Sequence, residues 1–409
     1  MPLVSFRSRS DPAARTRVVR DRLTLTLYGP YAVWGWLLYS FNPSAPLLGH
    51  DLGISDALVG LHGTAMAAGG LVAAFVAPRA VLRWGRRAAI LGALGLVAVG
   101  VTGLLAGPTL AWTLSAMLVL SLGGNVLISA TQVGLALHQG PAASAAISEG
   151  NAVGSGVGLL GPLAVGAAVA VGWGWRPGVL VTAGLAVVVM VLFARLPHSE
   201  SLPRRAAPVV AHGDAAPALR RRGAAAIMFV GGVVAAVAVE NATTYWSTKL
   251  VIERTGAGAG IAAATTAGLV AGMTLVRLVV GPLSLRLAPA RLLVGGFVFT
   301  VVGWTVLWTT TSTGVALVGL VLAGLGLGVQ YPLSIALLLA ASPGHSDRAQ
   351  GDATLWGSLS IGVAPFLLGW LSDQVGMHTA FVAVPLFALA GAVVAALGGR
   401  ALRRAAATG

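Results

Sequence analysis

One acid lies deep in an apolar run of this 409-residue sequence: Glu240, in the stretch VAVENATTYWSTKL. Around it stand Asn241, Thr243, Thr244 and Tyr245. A carboxylate in a low-dielectric setting resists ionisation unless it is paired. Glu240 therefore suits three roles: a site that loads and releases a proton, a contact for a cationic ligand, or a structural hydrogen bond to a neighbouring helix. Arg277, in GMTLVRLVVG, is the one base in a comparable position, and suits an anionic ligand or neutralisation of Glu240. His62, in GLHGTAMAAGG, titrates near neutrality and is read as a second coupling candidate or as a buried hydrogen-bonding group.

Enzyme chemistry finds no support. The sequence holds no phosphate-binding loop with lysine, no HExxH and no serine triad, and its seven histidines lack metal-ligand spacing. With no cysteine there is no disulfide, thiol or cysteine metal chemistry. No cofactor, no metal and no ATP-driven step is expected, so the energy source is a gradient.

The elements that hold these groups are membrane helices. The chain is 56% hydrophobic and 9% charged, with mean hydropathy +0.87. Soluble domains carry about 25% charged residues, so the solvent for this surface is lipid. A spanning helix needs about 20 mostly apolar residues. Twelve such runs occur, at 23–48, 57–76, 88–105, 110–135, 150–172 and 177–193, then 224–246, 261–285, 292–308, 315–339, 351–371 and 380–397. The predicted fold is all-α, with twelve transmembrane helices in two pseudo-symmetric six-helix bundles, 23–193 and 224–397. A basic arm (1–22), a polar linker (194–223) and a tail (398–409) complete it. The arm has no apolar core of its own, so no cleaved signal is expected.

The net charge of +14 does not mark a nucleic-acid binder, because the basic residues fall in short loops and tails between apolar runs. With both termini in the cytoplasm, the outer loops hold only Arg176, Lys249 and Arg254. All other basic residues except Arg277 are then cytoplasmic, as the positive-inside rule requires. Helix rise then puts Arg277 roughly 10 Å or more nearer the cytoplasm than Glu240, against a direct pair.

The two halves echo each other. SEGNAVGSGVGLLGPLAVG at 148–166 returns as GDATLWGSLSIGVAPFLLG at 351–369. One offset of 203 links Glu149 to Asp352, Gly154 to Gly357, Pro162 to Pro365 and Gly166 to Gly369. The same offset links Arg83 to Arg286 and Gly123 to Gly326. Parallel repeats are a transporter plan, with the substrate site between them near the midplane.

The chain resembles the major facilitator superfamily over nearly its whole length. The loop PRAVLRWGRRAAI matches that family's Gly-x-x-x-Asp-Arg-x-Gly-Arg-Arg pattern at Arg83, Gly85, Arg86 and Arg87, with Pro78 and Leu82 departing from it. Its repeat, GPLSLRLAPAR, keeps Gly281 and Arg286 but has Leu285 at the Asp position. In the family that Asp latches the cytoplasmic gate. Its absence points to a substitute latch, Arg83 with Asp352 and Arg286 with Glu149, since the resemblance implies helix two facing eleven and eight facing five. Gly161-Pro162 with Gly166 resembles the Gly-Pro motif of the drug/proton antiporters, Val165 replacing one glycine. Glycines such as Gly158 allow close helix approach, and proline bends the helix against protein or a cavity, so a rocking interface between halves is expected there.

In the family, helices one, four, seven and ten line the cavity. The resemblance therefore adds Tyr31, Trp36, Asn42, Asn125, Gln132, Asn241, Tyr245, Gln330 and Tyr331 as cavity candidates beside Glu240 and Arg277. It implies a monomeric secondary transporter of a small organic molecule, proton-coupled, working by alternating access, with export favoured. GLGLGVQYPLSIALL and VAPFLLGWLSD also look like sugar permeases, so uptake of a sugar or organic ion is the rival. A transporter-like receptor or scaffold is the rival from another class.

Overall fold

The computed structural model describes residues 18–139, 143–197, 223–284, 287–342 and 346–408. Among these residues there is no strand. In hydrocarbon every backbone N–H and C=O must be satisfied within its own segment, so apolar runs close into helices. Eleven of the described helices are long and apolar enough to cross a membrane.

The first half holds α1 (Arg22–Phe41), α2 (Ala45–Leu52), α3 (Asp56–Trp84), α4 (Arg86–Ala106), α5 (Leu110–Gln139), α6 (Ala143–Gly158), α7 (Leu160–Ala170) and α8 (Arg176–Ala194). The second holds α9 (Ala224–Thr255), α10 (Ala259–Ser284), α11 (Pro289–Thr309), α12 (Thr313–Ala340), α13 (Ser346–Val375), α14 (Met377–Ala380) and α15 (Ala383–Thr408). The end where α1 starts is the near end, and the end where α3 starts is the far end.

α1 is the twelfth long helix, 20 residues carrying Thr24, Thr26, three tyrosines, Pro30 and Ser40. Asp21 caps it, accepting the Thr24 backbone N–H at 2.8 Å. The expected span 23–48 is divided: Asn42–Ser44 forms a 3₁₀ turn, and α2 continues to Gly53, whose φ of 62° only glycine adopts freely. Several helices outrun their apolar runs. α9 continues to Thr255, and α15 continues through most of the expected tail to Thr408. Their extra turns are polar or Ala-rich segments with good helix formers, which propagate beyond the lipid-facing stretch.

The fifth span breaks at Leu159, between α6 and α7. Pro162 has no N–H for the Gly158 carbonyl, which explains the break. The expected role of its glycines needs correction. A Cβ on Gly161 would stand 2.9 Å from the Ser40 nitrogen, and one on Gly158 would stand 2.8 Å from the Gly35 carbonyl oxygen. Both glycines seat α6 and α7 on α1, inside the first half. Gly166 does meet the other half, where an added Cβ would lie 2.6 Å from the Gly260 oxygen of α10. Backbone atoms cannot rotate away, so Gly161→Leu is expected to cost about 1–3 kcal/mol of packing. It should lower the melting temperature of the detergent-purified protein; unchanged melting with transport lost would contradict this placement.

Candidate functional site

A cavity of about 430 Å³ lies between the two halves. Its wall is a set of helical stripes. α1 offers Tyr31, Gly35 and Leu38, with Asn42 following in the 3₁₀ turn at its end; α9 offers Val237, Glu240, Asn241 and Thr244; α13 offers Ala353, Gly357 and Ile361. Spacings of three and four place each set on one helix face. α5 adds Asn125, α6 adds Asn151 and Ser155, α10 adds Arg277, and α12 adds Tyr331.

Seven of the expected cavity and coupling residues thus meet here: Tyr31, Asn42, Asn125, Glu240, Asn241, Arg277 and Tyr331. Asn42 Nδ2 donates to Thr244 Oγ1 at 3.1 Å, joining the halves at the cavity's far side. Asn241 and Asn125 tie one N–H each to their own helices, at Val237 O and Ser121 O, both 2.9 Å. Arg277 Nη1 donates to the Ser155 hydroxyl at 3.1 Å, again across the halves, and its Nε to the Gly328 carbonyl at 3.3 Å. Among the described residues, none donates a hydrogen bond to Glu240.

Five expected residues lie elsewhere. Trp36 is buried, with Nε1 donating to the Gly178 carbonyl of α8 at 2.9 Å. Gln330 is buried and donates to Thr300 Oγ1 of α11 at 2.7 Å. Tyr245 is fully buried with its ring edge-on to Phe41. Gln132 is half-buried outside the lining. His62 is 0% exposed, with Nδ1 2.9 Å from its own helix at Val59 O and Nε2 3.0 Å from Thr113 Oγ1. Both its nitrogens are occupied by the first half's own packing. His62→Gln should therefore destabilise by about 1 kcal/mol and leave the pH dependence of transport unchanged. Loss of coupling in that variant would restore His62 as a proton site.

Sequence reasoning missed Trp34, Tyr39, Asn151 and Ser155, and named Thr244 only within the polar cluster around Glu240; all five line the cavity. The available signal was phase: Asn151 and Ser155 stand four apart, and Tyr39 lies eight after Tyr31.

The far end is closed by a seam between α3 of the first half and α9 and α13 of the second. Asp56, in the first turn of α3, accepts from the Lys249 ammonium and from Ser372 Oγ, the latter at 2.6 Å. Asp373 of α13 returns the contact, its two carboxylate oxygens accepting the backbone N–H groups of Asp56 and Ala57 at 2.9 Å each. One half thus caps a helix of the other. Below this, Thr64 Oγ1 donates to the Gly362 carbonyl at 2.6 Å, and Trp246 Nε1 donates to the Pro365 carbonyl at 3.0 Å. Pro365, the repeat partner of Pro162, lies inside α13 against Gly63 of α3.

Two helix bundles closed on each other at one end around a polar cavity is a transporter architecture, and the sequence comparison decides which. The family profile described as Major Facilitator Superfamily matches residues 31–276 and 228–406. The chain belongs to the major facilitator superfamily. No curated protein sequence matches it. Its fold is similar to a bacterial homolog of the human lysosomal transporter Spinster in an inward-facing, unoccupied conformation, at TM-score 0.77 and 16% identity, covering 95% of this chain and 99% of that one. It is also similar to a D-xylose-proton symporter (TM-score 0.71, 14% identity, 92% and 96% covered). A third likeness is the E. coli fucose:proton symporter FucP (TM-score 0.59, 16% identity, 92% and 98% covered).

The superfamily's gate loop is used here mainly for internal stapling. Arg86 is 2% exposed and donates to the Ala130 carbonyl of α5 at 2.9 Å. Arg87 donates to Leu196 O and Ala194 O at 3.0 and 2.9 Å, closing the C-terminus of α8. Arg83 is exposed, with its guanidinium 6.0 Å from the Trp84 ring, and Asp352 is half-buried on α13. Glu149 binds within its own half, taking Arg20 at 2.7 Å and the Tyr28 hydroxyl at 2.9 Å. Hydrogen bonding and charge from Glu149 raise the Arg20 pKa. Arg286 lies outside the described residues. This structure is closed at the far end, and the expected near-end latch is not formed among its described residues.

Proposed function

We propose that this superfamily member couples proton movement to export of a small organic molecule across the cytoplasmic membrane. The near end faces the cytoplasm, in line with the bias of arginines toward near-end loops. The observation that carries the reading is Glu240: a carboxylate at membrane depth that reaches the central cavity and takes no hydrogen bond from the described residues. Such a group is costly to keep charged and is a functional site by default. It binds a proton in one state and yields it in the other. Alternating closure of the far seam and the near-end latch supplies the two accesses. The cavity is complete within one chain, which supports a monomer as the working unit.

Export rests on Gly161-Pro162 at the α6–α7 break. Uptake is the second reading, favoured by two neighbours described as sugar–proton symporters. The deciding experiment is a substrate-panel flux assay in proteoliposomes with an imposed proton gradient of either sign. Accumulation driven by one sign identifies the direction. Flux indifferent to the gradient removes proton coupling, and no flux above protein-free vesicles for any solute removes the transport reading.

A further inference from the structure

Glu240 and Arg277 face one cavity but do not pair with each other. Arg277 reaches sideways to the Ser155 hydroxyl and the Gly328 carbonyl, while Glu240 has no donor among the described residues. A structural ion pair at membrane depth would close on itself to recover its desolvation cost. These two groups are held apart instead, and leave the cavity with a fixed separation of charge. The other titratable groups on the wall are the hydroxyls of Tyr31, Tyr39 and Tyr331. α3, α5, α6 and α13 bring only apolar, amide and hydroxyl groups to it.

We propose that the substrate is a small organic zwitterion, its ammonium end on Glu240 and its anionic end toward Arg277. This rests on the transporter reading above. A cation alone leaves Arg277 without a ligand counter-charge, and an anion alone leaves Glu240 without one; a ligand carrying both charges serves both walls. Trp34, Tyr39 and Tyr331 line the same cavity, and aromatic rings attract ammonium groups. The Asn42, Asn125, Asn151 and Asn241 amides supply polar contacts for the rest of the molecule. One carboxylate then serves two cations. A proton on Glu240 removes the charge that holds the ammonium, so substrate and proton exclude each other. The proton bound on one side displaces the substrate carried from the other, which is exchange.

Binding to the detergent-purified protein tests this. The probes are the twenty L-amino acids, glycine betaine and carnitine, and, for any amino acid that binds, its methyl ester (cation only) and N-acetyl derivative (anion only). At least one zwitterion should bind, and each single-charge derivative should bind at least ~10-fold more weakly, as expected for loss of a charged hydrogen bond. Binding should weaken as pH falls through the titration of Glu240. Glu240→Gln should erase the preference over the N-acetyl form, and Arg277→Gln the preference over the ester. The derivative series on the unaltered protein decides the matter even if a variant does not fold. Failure of every zwitterion to bind, or equal binding of an ester, overturns the proposal. Binding of xylose, fucose or uridine that neither substitution alters overturns it too and leaves the transport reading standing; only absent flux removes that.

Discussion

Glu240→Gln is expected to bring gradient-driven accumulation in proteoliposomes down to the level of protein-free vesicles. Glutamine keeps the size and one carbonyl acceptor but carries no exchangeable charge at any pH. The cavity wall around residue 240 is otherwise unchanged, since no hydrogen bond from the described residues to the carboxylate is lost. Folding should survive, and the melting temperature should hold or rise, because a charge no longer has to be kept at membrane depth. Downhill equilibration of substrate should lose its dependence on pH. Uphill accumulation at the unaltered rate in this variant would show that the proton is carried elsewhere.

The second large effect is at the far seam. Gly60→Leu should hold the protein open at its far end and stop transport. A Cβ there would lie 2.6 Å from the Phe366 Cα and 2.8 Å from the Pro365 oxygen, so the obstruction is backbone and cannot be relieved by a rotamer change. Asp373→Ala is a milder version. It removes two charge-assisted hydrogen bonds to the α3 amides, each worth about 1.5–3 kcal/mol at most. That is enough to lower the far-closed population about tenfold or more. The chain has no cysteine, so Thr244→Cys, at the cavity's far side, is a single reporter. A membrane-impermeant thiol reagent added at the far face should label it faster in both backgrounds. Labelling no faster than in Thr244→Cys alone would mean that the seam does not gate access.

The elements of this fold were legible because lipid makes the hydrophobic run itself the signal. The offset of 203 then exposed the two halves. The site was only partly legible, for a geometric reason. Trp36 and Gln330 each stand one residue from a lining neighbour, Gly35 and Tyr331. One residue is about 100° of helix rotation, enough to turn a side chain from the cavity into the α8 or α11 contact. Residue type placed a polar group on the right helix; phase decided whether the group reached the cavity. Tyr39 and Asn151 show the reverse, being in phase but on stretches that looked like ordinary span. The far seam was hidden for another reason. Asp56 and Asp373 sit at span ends, where charge is expected anyway, and only the approach of α13 to α3 makes them partners. Arg86 and Arg87 matched a gate motif, yet both are spent on carbonyls of their own half.

The cap that Asp373 places on α3 also makes the transport cycle sensitive to water activity. When the seam parts, the amides of Asp56 and Ala57, two carboxylates, an ammonium and the Ser372 hydroxyl all lose protein partners together. Each must be rehydrated, so opening takes up water and closing expels it. Osmolytes excluded from protein surfaces favour the drier form. In concentrated sucrose or trimethylamine N-oxide the far-closed state should gain population, and Thr244→Cys labelling from the far face should slow. A transporter built this way ties the balance between its far-closed and far-open states to the osmotic pressure at its far face.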